Sequence, residues 1–172
     1  MSIWENLNID MPISIDGMGI VFYSDKATED IKEGEDYLST EYFKPEQVAG
    51  HIRKGDIVGF CTGSSGDYML KFRSGYPNED LIEQYPISAR LAIVVDGGKI
   101  SAIDLFWLMD WSADCPSEQQ IEIEDGIYHI TLLTRIPETE IWGDNQIIYV
   151  FLNRLDEMPE LSWRGVPQLY QD

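Results

Sequence analysis

From Asp56 to Leu152 the chain repeats one pattern: a short run of β-branched and aromatic residues, then a turn built from Gly, Ser, Asp or Asn. Within Asp67–Arg73 the period is two, placing Tyr68, Leu70 and Phe72 on one face and Met69, Lys71 and Arg73 on the other. That run and Ile57–Thr62 flank Gly63-Ser64-Ser65-Gly66, which predicts a hairpin. A second hairpin is expected from Arg90–Val95 and Lys99–Leu105 across Asp96-Gly97-Gly98. A third joins Gln120–Glu124 to Ile127–Arg135 across Asp125-Gly126, and Ile147–Leu152 reads as a strand buried on both faces.

Before Asp56 the signal is mixed. Ile13–Ser24 reads as a strand or bent hairpin with Gly17 and Gly19 as bend points, and 25–43 as a long surface excursion. Pro45 suits a first helical turn, Val48, His51 and Ile52 follow at helical spacing, and Gly55 ends a helix expected over 45–53. With 172 residues and 44% apolar side chains, the chain is expected to form a single domain, 1–172. Its fold class is mainly β: an antiparallel β-sandwich or partly open barrel with one or two short helices.

Charge narrows the function. Thirty-one Asp and Glu against 12 Lys and Arg leave a net charge of -19. The surplus lies at the two ends of the chain, since residues 48–99 carry six acids and six bases. Between Lys99 and Arg135 no base occurs, while Asp104, Asp110, Asp114, Glu118, Glu122, Glu124 and Asp125 all do. Direct binding to nucleic-acid phosphates is disfavoured, because it requires a basic face. No apolar run has membrane-spanning length, and MSIWENLNID carries acids where a signal peptide carries bases, so a cytoplasmic protein is expected. Cys61 and Cys115 are too few for a disulfide scaffold or a thiolate zinc site.

Motifs for chemistry fail on spacing. Only two residues separate Gly63 from Gly66, one short of a nucleophile elbow. Gly98-Lys99-Ile100 lacks the upstream glycine and the hydroxyl residue of a phosphate-binding loop, and no dinucleotide fingerprint follows a strand. Asp104, Asp110 and Asp114 fit no compact hard-metal loop, so neither cofactor nor metal is expected. With His51 and His129 as the only histidines, a Cys61–His51 or Cys115–His129 dyad depends on a meeting in space. A small hydrolase using such a dyad or a carboxylate pair therefore stays open, as does an oligomer-building domain.

The segment Ile103–Trp111 combines apolar bulk with carboxylates. One reading packs Trp107 and Met109 inside with the aspartates at the ends. The other makes an aromatic anchor beside an acidic rim, the composition that captures a basic protein. Glu138-Thr139-Glu140-Ile141-Trp142 repeats the mixture. The candidate partner-binding residues are thus Asp104, Trp107, Asp110, Trp111, Asp114, Glu118, Glu122 and Glu124, with Glu138, Glu140 and Trp142 from the second stretch. A field of one sign speeds encounter with a basic protein, and salt removes the advantage.

The succession of strand Leu91–Val95, turn and strand Gly98–Ile103, a crossing with Trp107 and Trp111, and Gly126-Ile127-Tyr128-His129-Ile130 resembles the small acidic β-rich inhibitor proteins of bacteria. The likeness is to the ComJ-type nuclease inhibitors and to immunity proteins encoded beside toxins. It spans about residues 88–135 with the strand at 147–152. It implies binding and blocking of a basic toxin or nuclease, without catalysis, and carries over no active-site residue.

Overall fold

The computed structural model describes residues 2–170. The strands are β1 Asn8–Ile15, β2 Gly19–Tyr23, β3 Ile57–Cys61, β4 Gly66–Ser74, β5 Ile87–Val95, β6 Lys99–Asp104, β7 Gln120–Glu122, β8 Gly126–Thr134 and β9 Gln146–Leu155. They form a five-stranded sheet ordered β1-β4-β9-β8-β5 and a four-stranded sheet ordered β3-β2-β6-β7. The helices are α1 Tyr37–Glu41, α2 Pro45–Lys54 and α3 Glu79–Gln84. The fold is mainly β, and neither sheet closes into a barrel. Among the described residues no helix is long and apolar enough to cross a membrane.

Both sheets turn their apolar faces to one core. Phe22 and Phe60 come from the four-stranded sheet and Phe72 from the five-stranded one, with ring centroids 5.5 and 6.0 Å from that of Phe22. The alternation read from β4 holds, since Tyr68, Leu70 and Phe72 are sealed while Met69, Lys71 and Arg73 are half-exposed. Pro45 opens α2, and Gly55 closes it at φ 69°, a left-handed position that only glycine takes without cost.

The expected hairpins do not form. β3 and β4 lie in different sheets, as do β5 and β6, β7 and β8, and the two halves of Ile13–Ser24. Each turn carries the chain from one sheet to the other. The physical reason is that alternation reports which face meets the core, and a strand on either sheet meets the same core. The pairing is also not purely antiparallel, because β4 and β9 run parallel in register Tyr68↔Gln146 to Ser74↔Leu152. Nor is β9 buried on both faces: Ile148, Val150 and Leu152 are sealed, whereas Ile147 and Tyr149 on the outer face are half-exposed.

The excursion 25–43 is folded onto the body through Tyr42, which is 3% exposed. Its hydroxyl donates to the Ile57 carbonyl at 3.0 Å and accepts the Gly59 N–H at 2.8 Å. Gly59 is required there, since a Cβ would stand 2.7 Å from that hydroxyl. Tyr42→Phe removes both bonds from a buried site and is expected to cost about 2 kcal/mol in urea unfolding. A loss near zero would show that water replaces the hydroxyl.

Residues 75–86 cross the outer face of the five-stranded sheet. At one end the Tyr76 hydroxyl is 3.0 Å from His129 Nδ1 and accepts from Asn153 Nδ2; at the other Tyr85 meets Tyr149 edge-on at 5.1 Å. Thr131, Leu133 and Phe151, which face outward by register, are buried. Burial, then the charge of Arg90, holds His129 below the ordinary histidine pKa. The unfolded chain therefore takes up this proton first as pH falls. The contribution is complete above the unfolded value of about 6.5 and is lost on the way down to the folded one. Unfolding free energy measured from pH 7.5 to 5 should fall, and His129→Asn should flatten that slope. An unaltered slope would refute the assignment.

Candidate functional site at one end of the two sheets

The strand registers gather several chain turns at one end. Ile15 pairs with Gly66, Tyr68 with Gln146, Thr134 with Ile148, Gly19 with Cys61 and Ile20 with Asp104. The turns 16–18 and 62–65, the start of the segment after Asp104 and the loop 135–145 therefore lie together, linked by a chain of hydrogen bonds. The Asp104 carboxylate accepts the N–H groups of Asp16 at 2.8 Å and Phe106 at 3.0 Å, so it both holds the β1–β2 turn and caps the 3-10 helix Leu105–Met109. Met18 accepts the Thr62 N–H, the Ser64 hydroxyl donates to the Trp142 carbonyl, and the Asp67 N–H donates to Gly143 at 2.7 Å.

This arrangement divides the candidate residues. Asp104 is committed to backbone groups, while Asp110 and Asp114 are exposed. Trp107 is half-buried and donates its indole N–H to Ser112 at 3.0 Å. Trp111 offers no anchor: it is 2% exposed and packs edge-on against Tyr23 at 5.4 Å. Its backbone instead docks the excursion, with Trp111 N–H donating to Glu35 and Gly34 N–H to Trp111. Glu33 also accepts the Ala113 N–H. The acids of the excursion thus join those of the basic-free interval, a meeting no local pattern signals. Met109, expected inside, is 46% exposed.

In the loop 135–145, Glu138 and Glu140 are exposed and Trp142 is half-buried against the core. Glu118 is exposed in the 3-10 turn Ser117–Gln119. Glu122 stands opposite Lys99, at the other end of β6 from Asp104. Glu124 accepts the N–H groups of Ile3 at 2.7 Å and Trp4 at 3.0 Å. Desolvation acts to raise its pKa, but these bonds and Arg154 outweigh it and hold the carboxyl below its usual range. Glu122 and Glu124 therefore do not belong with the loop-end group.

No dyad forms among the described residues. His51 Nδ1 is 2.8 Å from Asp56 Oδ1 and its Nε2 3.3 Å from the Tyr37 hydroxyl, while His129 meets Tyr76. Burial works to raise the Asp56 carboxyl, yet the His51 contact, the Ile57 N–H and Lys54 keep it low. The Cys115 thiol faces the Ala102, Pro116 and Gln119 carbonyls. Burial pushes both thiols above the ordinary cysteine pKa, against the thiolate a nucleophile needs. No group of three His, Cys, Asp or Glu among the described residues is placed to hold a metal ion.

No family model and no curated protein matches the chain. Among solved structures it superposes on ComJ, inhibitor of the DNA degrading activity of NucA, from Bacillus subtilis, with a TM-score of 0.52 at 12% identity, covering 86% of this chain and 96% of that one. The chain has the fold of ComJ. It is similar as well to the structure described as crocagin biosynthetic gene J, with a TM-score of 0.50 at 15% identity, covering 84% of this chain and 95% of that one. The likeness therefore reaches well beyond residues 88–135 into the first half of the chain, where no motif carries it.

On this ComJ fold the loop end also presents apolar side chains that sequence reasoning missed. Met18 and Phe106 are 54% and 46% exposed, and Gly17 lies directly against the Phe106 ring. The 3-10 helix that bears Phe106 packs on α1, beyond which Phe43 is 72% exposed. Ile136 and Ile141 are exposed in the loop beside Trp142. Along the chain these residues are far apart, and several sit in apolar company that reads as interior. Only the gathering of loops brings Met18 and Phe106 to the end of the sheets that carries Glu138 and Glu140.

Proposed function

We propose that this protein is an inhibitor that binds a basic nuclease or toxin through the loop end of its two sheets and blocks the face on which that enzyme takes its substrate. The carrying observation is the gathering there of exposed carboxylates, Glu138 and Glu140, with the exposed apolar side chains of Met18, Phe106, Ile136 and Ile141. Asp110 and Asp114 lie on the segment that runs back over Tyr23 toward the other end of the four-stranded sheet. ComJ, which shares the fold, inhibits a nuclease, and this supports the reading. The carboxylates stand in for substrate phosphates, and the apolar residues supply the desolvated contact that slows dissociation. Such an inhibitor acts in the cytoplasm, where its target would otherwise be harmful.

The test is association with the basic protein encoded beside this chain. The rate is expected to fall about tenfold or more between 50 and 500 mM salt, because screening removes the steering field. The same protein should lose nuclease activity at a one-to-one ratio. A neighbouring protein that is not basic, or a rate indifferent to salt, removes the proposal.

A further inference from the structure

The outer face of the five-stranded sheet is only partly covered. The crossing segment 75–86 shields Thr131, Leu133 and Phe151 but reaches no farther than Tyr85, leaving Met69 and Ile147 half-exposed. Beside them are two cavities of about 310 and 440 Å³ that share Asn145 and Ile147, so they form one cleft. Pro12 and Ser14 of the edge strand bound it on one side, Tyr85 and Arg135 on the other, and the loop 137–145 stands over its end.

Charge identifies what this cleft accepts. Its two bases are already engaged: Lys71 lies 3.9 Å from Asp10 and over the Tyr149 ring, and Arg135 lies 4.5 Å over the Tyr85 ring. Its acids have no such counterparts, because Glu138 and Asp144 form no ion pair with a base among the described residues. Asp67, on the far wall, accepts only from the Ser14 hydroxyl and likewise meets no base there. The floor is apolar at its centre, with acids free on both sides.

We infer that this cleft receives an extended segment of the partner protein, one that lays apolar side chains on Met69 and Ile147 and directs Lys or Arg to Glu138, Asp144 and Asp67. An extended chain directs alternate side chains to opposite sides, so one set can meet the floor while the other reaches the rim. The inference rests on the reading under Proposed function and specifies which part of the loop end grips the partner.

Two variants of the full chain test it, each measured against the basic protein encoded beside it. Glu138→Gln with Asp144→Asn keeps shape and removes charge, and should slow association at least fivefold at 50 mM salt. Ile147→Trp fills the floor and should raise the dissociation rate at least tenfold. Asp156→Asn with Glu157→Gln, beyond the opposite end of β9, should change both rates by less than twofold. If the cleft variants also stay within twofold while wild-type association remains salt-dependent, the partner binds elsewhere and the inference fails alone. If wild-type association ignores salt, the proposed function fails and the inference with it. Ile147→Trp is interpreted only if its unfolding midpoint matches wild type; otherwise the charge variant decides.

Discussion

Gly143→Ala is expected to destabilise the protein by about 3–4 kcal/mol, lowering the thermal midpoint by about 10 °C. Gly143 sits at φ 82°, where an L side chain is strained, and an added Cβ would overlap the Ser65 carbonyl. The contact is reciprocal, since a Cβ on Gly66, at φ 141°, would overlap the Gly143 carbonyl. The two backbones touch because the Asp67 N–H must reach the Gly143 carbonyl. On the other side Gly143 N–H donates to Gln146 Oε1 at 2.9 Å, and Gln146, 1% exposed, donates onward to the Thr134 hydroxyl. Relief of the clash by moving the loop would therefore break a buried polar chain, which is why the cost exceeds that of strained backbone alone. The same movement would shift Glu138 and Trp142 and, on the proposed function, weaken partner binding. Urea unfolding of Gly143→Ala decides the matter; a loss below about 1 kcal/mol would mean that the loop yields freely.

Phe22→Ala is expected to cost about 4 kcal/mol, the range for deleting a sealed aromatic ring whose cavity cannot fully collapse. Phe22 has no exposed surface, and its ring lies between Phe60 of its own sheet and Phe72 of the other. Because both sheets contribute walls, neither can close the void without moving relative to its partner. Phe43→Ala is the internal comparison: the same ring at 72% exposure should cost no more than about 0.5 kcal/mol. Similar unfolding midpoints for the two variants would contradict a core shared between the sheets.

These two phenylalanines show where sequence reading succeeds and where it stops. Phe22 sits in an apolar run that marks it as interior, whereas Phe43 follows the sealed Tyr42, and nothing in the sequence shows that one of the pair is buried and the other exposed. The same holds for the tryptophans: Trp107 and Trp111 lie four positions apart in similar company, yet one is half-buried and the other sealed beneath the excursion. Asp104 and Asp110 are alike in sequence, but one is consumed by backbone N–H groups and the other is free.

What the sequence determined by itself was local. Period-two alternation placed β4 and its buried face, apolar runs located most of the other strands though not the first residues of β1, Pro45 and Gly55 bounded α2, and the run from Leu91 to Ile130 carried the likeness to ComJ-type inhibitors. Such features depend on residues a few positions apart, so a single chain displays them. Only the tertiary structure decided which strands pair, that each tight turn crosses between sheets, and that Glu138 lies at the loop end of the sheets while Glu122 lies at the opposite one. Those outcomes follow from contacts between distant segments competing for one core, and alternation looks the same whichever sheet a strand joins.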